Sequence, residues 1–180
     1  MKKIFPWLIL IIAGFTAGCD ENTDLKTVQK VEIKKYLGKW YQVAYIPNSF
    51  QDKDCPLTTA DYSIRNDGDI KVINTCWADL TEKTISDQAE GKAWLTDEKS
   101  GSKLKVSFFW PFSGKYWIID LDENEYQYTV ISEPGKEYLW ILARSIPMNE
   151  MLYKQLLEKI KLKGIPLDKI IRTDKKIKSS

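Results

Sequence analysis

Histidine is absent from the 180-residue sequence, and this removes several kinds of chemistry at once. Histidine is the most frequent general base, the most frequent transition-metal ligand and the usual switch near neutral pH. The sequence also has no Cys-x-x-Cys pair, no Walker loop and no Gly-x-Gly-x-x-Gly fingerprint. We therefore expect no catalytic residue, no metal site and no cofactor. These absences favour binding over catalysis.

A strong charge of one sign is also missing. Lysine and arginine number 27 against 25 aspartate and glutamate residues, which leaves a net charge of only +2. Nucleic-acid binding usually needs a concentrated basic surface, so we expect no nucleic-acid partner. The lysine-rich stretch 169–178 could contact anionic lipid headgroups, but a solvated end explains it more simply. We assign 175–180 to a basic tail without a site.

The first residues are typical of an exported protein. Residues 1–3 form a short basic region, 4–15 are apolar but too few to span a membrane comfortably, and 16–18 precede Cys19. We interpret 1–18 as a signal peptide. Its end resembles the bacterial lipoprotein signal, whose cysteine is lipidated and becomes the first residue, although Thr16 replaces the usual leucine. An ordinary signal peptide cut nearby and an uncleaved anchor remain alternatives.

Lipidation at Cys19 implies a membrane anchor. Three acyl chains of the palmitate type would enter the bilayer, and each buried CH₂ group contributes about 0.8 kcal/mol, which makes the anchoring effectively permanent. The polar residues that follow show no apolar periodicity. We therefore expect 19–32 to be the lipidated cysteine and a flexible tether.

Two further cysteines, Cys55 and Cys76, form an even pair in an exported and therefore oxidising setting. This favours a disulfide, since both lie near the same end of one predicted hairpin around the turn 66–69. Mirror pairing about that turn sets Cys76 opposite about residue 59, so the segment before Thr58 must bend back. Two reduced, partly buried thiols are the alternative.

Short β-rich runs between 36 and 144 alternate with turn clusters at 66–68, 99–101, 122–124 and 133–135, which fits up-and-down antiparallel topology.

A helical pattern follows over 147–164, where Asn149 can cap the start and Gly164 the end. We expect this amphipathic helix to cover the outside of the sheet and 165–173 to add a short final strand. Its apolar residues are Met151, Leu152, Leu156, Leu157 and Ile160.

Two motifs indicate a family. Gly38-Lys39-Trp40-Tyr41 stands near the start of the folded part, and the strand-like run 138–143 ends in Arg144. Together with the runs 36–46, 60–64, 90–93 and 104–111, these motifs resemble the lipocalin family. Among its members they are most similar to the bacterial outer-membrane lipocalins, apolipoprotein D and the plant temperature-induced lipocalins. The resemblance covers 33–174.

The resemblance implies an all-β fold, an eight-stranded up-and-down antiparallel barrel with a C-terminal α-helix packed outside. It also implies that Gly38, Trp40 and Arg144 close one end, and a guanidinium over an indole is a favourable geometry for that role. One motif departs from the family pattern. The aspartate-rich middle motif reads Asp120-Leu121-Asp122-Glu123, with its tyrosine delayed to Tyr126, which leaves the register of the sixth and seventh strands open.

The Trp40–Arg144 pair also fixes the inward faces of the first and last strands. Alternation then points Gln42, Ala44 and Ile46 inward with Trp40, and Tyr138, Trp140 and Leu142 inward with Arg144. The same phasing, helped by the resemblance, sends Tyr62, Ile64, Val72, Asn74, Ala93, Leu95, Leu104, Val106, Phe108, Tyr116 and Ile118 inside.

The sizes of these residues predict a slot for a ligand. Small Ala44, Gly91 and Ala93 facing large Phe108 and Trp140 would leave space in a barrel of eight strands. The alternative is that these side chains simply pack the barrel. The candidate ligand-binding residues are Ala44, Ile46, Tyr62, Ile64, Asn74, Ala93, Val106, Phe108, Tyr116, Ile118, Tyr138 and Trp140.

The open end should carry the loops 47–56 and 110–114. Phe50, Trp110 and Phe112 would then crowd the mouth. Such aromatic residues could admit lipid from a bilayer surface or form a homodimer contact, while packing among the loops is an equal alternative.

We therefore expect a membrane-anchored lipocalin that stores or transports fatty acids or lysophospholipids for envelope maintenance. The resemblance implies the outer membrane, facing the periplasm, whereas Asp20 after Cys19 leaves the inner membrane as an alternative. A lipocalin-fold enzyme acting on a lipid through Cys76 or a tyrosine is a second hypothesis. A partner-binding envelope module is a third.

Overall fold

The computed structural model describes residues 24–49, 51 and 54–176. The predicted signal peptide 1–18, the lipidation site Cys19, Phe50 and most of the basic tail lie outside them. The helices are α1 (Ile33–Tyr36) and α2 (Glu150–Leu162). The strands are β1 (Gly38–Tyr45), β2 (Leu57–Ile64), β3 (Ile70–Trp77), β4 (Ile85–Leu95), β5 (Lys103–Phe109), β6 (Phe112–Leu121), β7 (Tyr128–Ser132), β8 (Leu139–Ala143) and β9 (Ile171–Arg172). Two 3₁₀ turns, Leu167–Lys169 and Asp174–Lys176, flank β9.

The strands close into a barrel. Each strand from β2 to β7 pairs antiparallel with the next one along the chain, and β1 pairs with both β2 and β8. Closure leaves the eight-stranded sheet without a free edge. The predicted eight-stranded up-and-down barrel is confirmed. The short final strand is present as well, because β9 pairs with β1 at Ala44 and Tyr45.

The barrel has two ends, which we call the base and the mouth. The base is the end where β1 begins, directly after α1, and its connections are 65–69, 96–102 and 122–127. The mouth is the opposite end, with the connections 46–56, 78–84, 110–111 and 133–138. The disulfide lies at the mouth. It joins Cys55 to Cys76, as predicted, with their Cα atoms 5.6 Å apart. Cys76 is opposite Thr58, one residue from its expected partner.

A β-bulge in β1 changes which side chains face inward. The pairing with β8 shifts between Gln42 and Ala44, which makes Val43 the extra residue. Ala44 is opposite Ile141 and is buried with Ile46 outside the barrel, beneath α2. The prediction that Ala44 and Ile46 face the interior is therefore wrong, and both leave the set of candidate ligand contacts. Strict alternation cannot foresee one inserted residue, which moves every later side chain to the other face.

A second bulge fixes the register that the altered middle motif had left open. The pairing of β6 with β7 shifts between Ile118 and Asp120. Ile118 lies in the interior cluster and Ile119 in the outer one. The delayed Tyr126 adopts a positive φ of 54°, and its hydroxyl accepts a hydrogen bond from the Glu32 N–H at 2.9 Å. The hydrogen bond between Tyr126 and Glu32 thus connects the base of the barrel to the segment before α1.

Helix α2 begins and ends where the sequence predicts. The Asn149 side chain accepts hydrogen bonds from the N–H groups of Met151 and Leu152 at 2.9 and 3.1 Å. At the other end Gly164 has a φ of +76°, and the Ile165 N–H donates to the Ile160 carbonyl. A glycine in the left-handed region together with this 6→1 hydrogen bond is the Schellman motif, which ends the helix.

The buried face of α2 differs from the predicted one at two residues, because Tyr153 belongs to it and Met151 does not. Tyr153, Leu156 and Ile160 are buried against the outer cluster of the barrel, and Leu152 and Leu157 pack at its margin. Met151 is 70% exposed, so its predicted place in the covered stripe is wrong. Within the described residues no helix has the length and apolar character needed to cross a membrane.

Residues 24–32 pack along the barrel wall, which corrects the expectation of a flexible tether there. Leu25 and Val31 are 4% and 5% exposed. The N–H groups of Val28 and Val31 donate to the carbonyls of Ile118 and Ser100 at 3.0 and 2.7 Å. Apolar side chains at 25, 28 and 31 give this segment surface to bury. The remaining part of the predicted tether, 19–23, lies outside the described residues.

Candidate functional site

The base of the barrel is closed by Trp40 and Arg144. Trp40 is 0% exposed, and the guanidinium carbon of Arg144 lies 3.8 Å from the centre of its ring system. The indole N–H donates to the Tyr36 carbonyl at 2.8 Å. The predicted cation–π pair is therefore present, in the desolvated setting where such pairs are strongest.

Arg144 also fixes α1 across the base. Its guanidinium donates to the carbonyls of Lys35, Leu37 and Lys39 at 2.9, 2.8 and 2.7 Å. The last carbonyls of a helix have no partners within it, so the bonds to Lys35 and Leu37 supply partners for the carbonyls at the end of α1. Gly38 lets the chain turn here with a φ of +90°, and a Cβ atom would lie 3.5 Å from the guanidinium.

Three tyrosine hydroxyls meet inside the barrel near Trp40 and form its floor. The Tyr116 hydroxyl lies 2.7 Å from that of Tyr36 and 3.0 Å from that of Tyr62. Tyr36 and Tyr62 are buried, and Tyr116 is half-buried. The hydroxyls satisfy one another, so the floor is polar without an unpaired group. The sequence predicted Tyr62 and Tyr116 here but missed Tyr36, which precedes the first strand in α1.

Burial keeps this floor uncharged. It raises the pKa of Tyr36 from 10.0 to about 12, although hydrogen bonds with Thr129 and Tyr116 offset part of the rise. Burial, reinforced by the neighbouring Tyr36, also raises the pKa of Tyr62 and of Tyr116. The three hydroxyls remain protonated at neutral pH and cannot act as bases there.

The wall above the floor is apolar. Gly91 shapes it by lacking a side chain, because a Cβ atom there would lie 2.8 Å from the Phe108 ring and 2.9 Å from the Ser107 carbonyl oxygen. The predicted contact of small Gly91 with large Phe108 is thus present. The interior cluster includes Ala60, Val72, Ala93, Leu95, Leu104, Val106, Phe108, Ile118, Ile131, Trp140 and Leu142.

The interior is open toward the mouth. Val106, Phe108 and Trp140 are only half-buried, although they belong to the interior cluster. Ala89, the next residue along the inward face of β4 after Gly91, is exposed. By contrast, Ile118 deeper in the barrel is 0% exposed. Solvent therefore reaches the upper interior.

A chain of polar groups crosses one side of the mouth. The Gln51 amide donates to the Gln42 side-chain oxygen at 2.6 Å, and the Trp140 indole N–H donates to the Gln51 side-chain oxygen at 3.1 Å. Tyr138 stacks on Trp140 with ring centres 6.2 Å apart. Sequence reasoning missed Gln51 because a loop residue carries no periodic signal.

Most of the predicted ligand contacts lie in or beside this interior, and their contact with a ligand stays a prediction. They are Tyr62, Asn74, Ala93, Val106, Phe108, Tyr116, Ile118, Tyr138 and Trp140. Ile64 does not join them, because it ends β2 at the base and is 51% exposed. Trp110 and Phe112 lie at the mouth, as expected, but are 83% and 78% exposed rather than packed over it.

A closed base, a neutral floor, an apolar wall and an open mouth define a barrel that can hold one small apolar ligand. No cluster of acidic or cysteine side chains suited to a metal ion occurs in 24–49, 51 and 54–176.

Comparison with known proteins agrees with this geometry. The lipocalin-like domain family matches residues 31–175. The chain is 36% identical over 171 residues to the outer membrane lipoprotein Blc of Vibrio cholerae, covering 95% of this chain and 97% of that protein. It is also 36% identical over 161 residues to temperature-induced lipocalin-1 of Arabidopsis thaliana, covering 85% and 84%. Insecticyanin from the tobacco hornworm Manduca sexta shares the fold, with a TM-score of 0.62 and 18% identity over 83% of this chain and 84% of that one. The chain belongs to the lipocalin family, whose members are mostly binding and transport proteins.

Proposed function

We propose that this protein holds a single acyl chain in its barrel and stores or transports fatty acids or lysophospholipids for upkeep of the cell envelope. The observation that carries the proposal is the accessible apolar surface of Val106, Phe108 and Trp140 inside a barrel closed at its base. An acyl chain is narrow and apolar, so it matches such a wall. Its head group would stay near Gln51 at the mouth, since burying a carboxylate against neutral tyrosines is costly.

The location we propose is the outer membrane, with the protein anchored through lipidated Cys19 and facing the periplasm. Support comes from the pattern of residues 1–19 and from the relative named as an outer membrane lipoprotein, which matches nearly the whole chain. Nothing in that comparison favours the inner-membrane alternative raised by Asp20.

Binding without catalysis is the mode we propose. Cys76 is tied up in the disulfide with Cys55. The floor tyrosines have raised pKa values, and among the described residues their hydroxyls bond to other hydroxyl groups rather than to a base. Neither group offers the nucleophile or base that the enzyme hypothesis requires.

A fluorescent acyl probe tests the proposal on a form that begins at Asp20. The probe should bind with one site, and Trp140→Ala should weaken it about tenfold, the effect of losing about 1.4 kcal/mol of contact. Trp94→Ala is the matched control, because this half-buried tryptophan lies between inward Ala93 and Leu95 and faces outward. A folded barrel that binds no acyl ligand would reject the proposal. A stable protein partner that co-purifies without lipid would favour the partner-binding module instead.

A further inference from the structure

The hairpin of β5 and β6 ends in three exposed aromatic residues. Phe109, Trp110 and Phe112 are 80%, 83% and 78% exposed. Phe109 pairs with Phe112 across the turn, and the Ser107 hydroxyl donates to the Phe112 carbonyl at 2.6 Å. The backbone of the tip is therefore held in place while its aromatic side chains face solvent. Three such side chains together are more than scattered surface apolar residues explain.

Basic residues stand behind this aromatic tip. Lys105 and Lys115 are exposed and lie opposite each other on the two strands of the hairpin. Residues 103–119 contain three lysines and no aspartate or glutamate. An aromatic tip backed by lysines is the arrangement that suits the interface of an anionic bilayer, where indole rings lie at headgroup level.

The amino-terminal segment starts at the same end of the barrel. The tip is at the mouth, and so is the 133–138 connection that contains Lys136. Asp24 forms an ion pair with Lys136 at 2.8 Å, while the Lys163 ammonium at the end of α2 donates to the Lys26 carbonyl at 3.4 Å. From there the chain runs toward the base, where the Val31 N–H meets Ser100.

The length of chain before Asp24 then limits the orientation. Asp24 is five residues after Cys19, and five extended residues span at most about 18 Å. A lipid-anchored Cys19 would therefore hold the mouth, rather than the base, next to the bilayer.

We propose that the Phe109–Trp110–Phe112 tip docks into the membrane that holds the anchor, with the mouth facing the lipid. This inference rests on the proposed anchor at Cys19. A bilayer fits better than a second copy of the chain, because a twofold contact through this hairpin would bring lysines against lysines. The arrangement lets an acyl chain pass between bilayer and barrel without crossing water.

Depth-dependent fluorescence quenching tests the docking on the full lipidated chain in vesicles of phosphatidylethanolamine and phosphatidylglycerol. Phe112→Cys supplies a thiol for an environment-sensitive dye, because the chain's three cysteines serve the anchor and the disulfide. Trp110→Cys is a second labelling site. Asn66→Cys, exposed in the turn at the base, is the control. We expect dye at 112 and 110 to shift its emission to the blue and to be quenched by spin-labelled lipid, and dye at 66 to do neither.

Each other outcome contradicts the docking in a different way. Vesicles that float with the protein, but leave the dyes at 112, 110 and 66 equally unquenched, would overturn it. Contact between dyes at 112 on two copies, without lipid quenching, would replace the bilayer with a second copy. Protein that does not float with vesicles would reject the anchor and the docking together, whereas binding of the acyl probe by the form that begins at Asp20 tests the barrel separately.

Discussion

Arg144 lies over the Trp40 ring at 3.8 Å and at the same time donates to the Lys35, Leu37 and Lys39 carbonyls. One side chain thus joins α1, β1 and the end of β8 at the base. The ligand space lies above it, so the pair supports the fold rather than binding the ligand.

Replacing either partner should destabilise the barrel. Trp40→Ala should lower the free energy of unfolding by about 3–5 kcal/mol, because it opens a cavity at a fully buried site. Arg144→Lys should cost about 1–3 kcal/mol, since an ammonium cannot reproduce the fork of bonds to several carbonyls. Denaturant unfolding measures both, with exposed Lys34→Ala as the control, where we expect a change within about 0.5 kcal/mol. Equal stability of Trp40→Ala and the unmodified chain would contradict the structural role.

Reducing the disulfide should loosen the mouth. Cys55 and Cys76 enclose a loop with a sequence separation of 21, for which a cross-link contributes about 3 kcal/mol. The double variant Cys55→Ser, Cys76→Ser should unfold at lower denaturant than the oxidised chain, and reductant should shift only the oxidised chain. A chain whose midpoint does not respond to reductant would show that the bridge adds no stability.

Gly91→Ala should perturb the ligand space specifically. The new Cβ would come within 2.9 Å of the Ser107 carbonyl oxygen as well as touching Phe108, so β5 and the ring must move. We expect a loss of about 1–3 kcal/mol in stability and a change in acyl-probe affinity. Gly114→Ala in β6 is the matched control, because a Cβ there meets nothing within 4 Å. Equal effects of the two variants would contradict the packing described for Gly91.

Because the floor tyrosines are buried and protonated, we expect the free energy of unfolding to fall at alkaline pH. The pKa of Tyr36 rises from 10.0 to about 12 on folding, so its contribution is fully present below pH 10 and is lost as the pH rises toward 12. This single group should account for about 2–3 kcal/mol over that window. Unfolding at pH 8, 10 and 11 should show a smaller decline for Tyr36→Phe than for the unmodified chain. If the free energy of unfolding declined equally in Tyr36→Phe and in the unmodified chain, Tyr36 would not be the source of the alkaline sensitivity.

Much of the fold could be predicted because its determinants are local or pairwise. Asn149 and Gly164 bound α2 through hydrogen bonds within a few residues of the chain. The disulfide between Cys55 and Cys76 could be predicted from two observations, an even number of remaining cysteines and an oxidising compartment. Trp40 and Arg144 predicted which side chains of β1 and β8 face inward, and in β1 this prediction is correct as far as Gln42.

The candidate site was less predictable, for two physical reasons. The bulge at Val43 moved Ala44 and Ile46 to the outer face, and no periodic pattern marks an inserted residue. Tyr36 and Gln51 reach the interior from a helix and a loop, so only the closed barrel brings them to it.

Native mass spectrometry of the protein released from its own membrane tests the central claim most directly. We predict a processed chain that begins at a triacylated Cys19 and carries one additional mass equal to a fatty acid or a lysophospholipid. The extra mass should fall in Gly91→Ala, whose Cβ displaces the Phe108 ring, and should persist in Gly114→Ala. A folded, anchored chain that never carries a lipid would contradict the account.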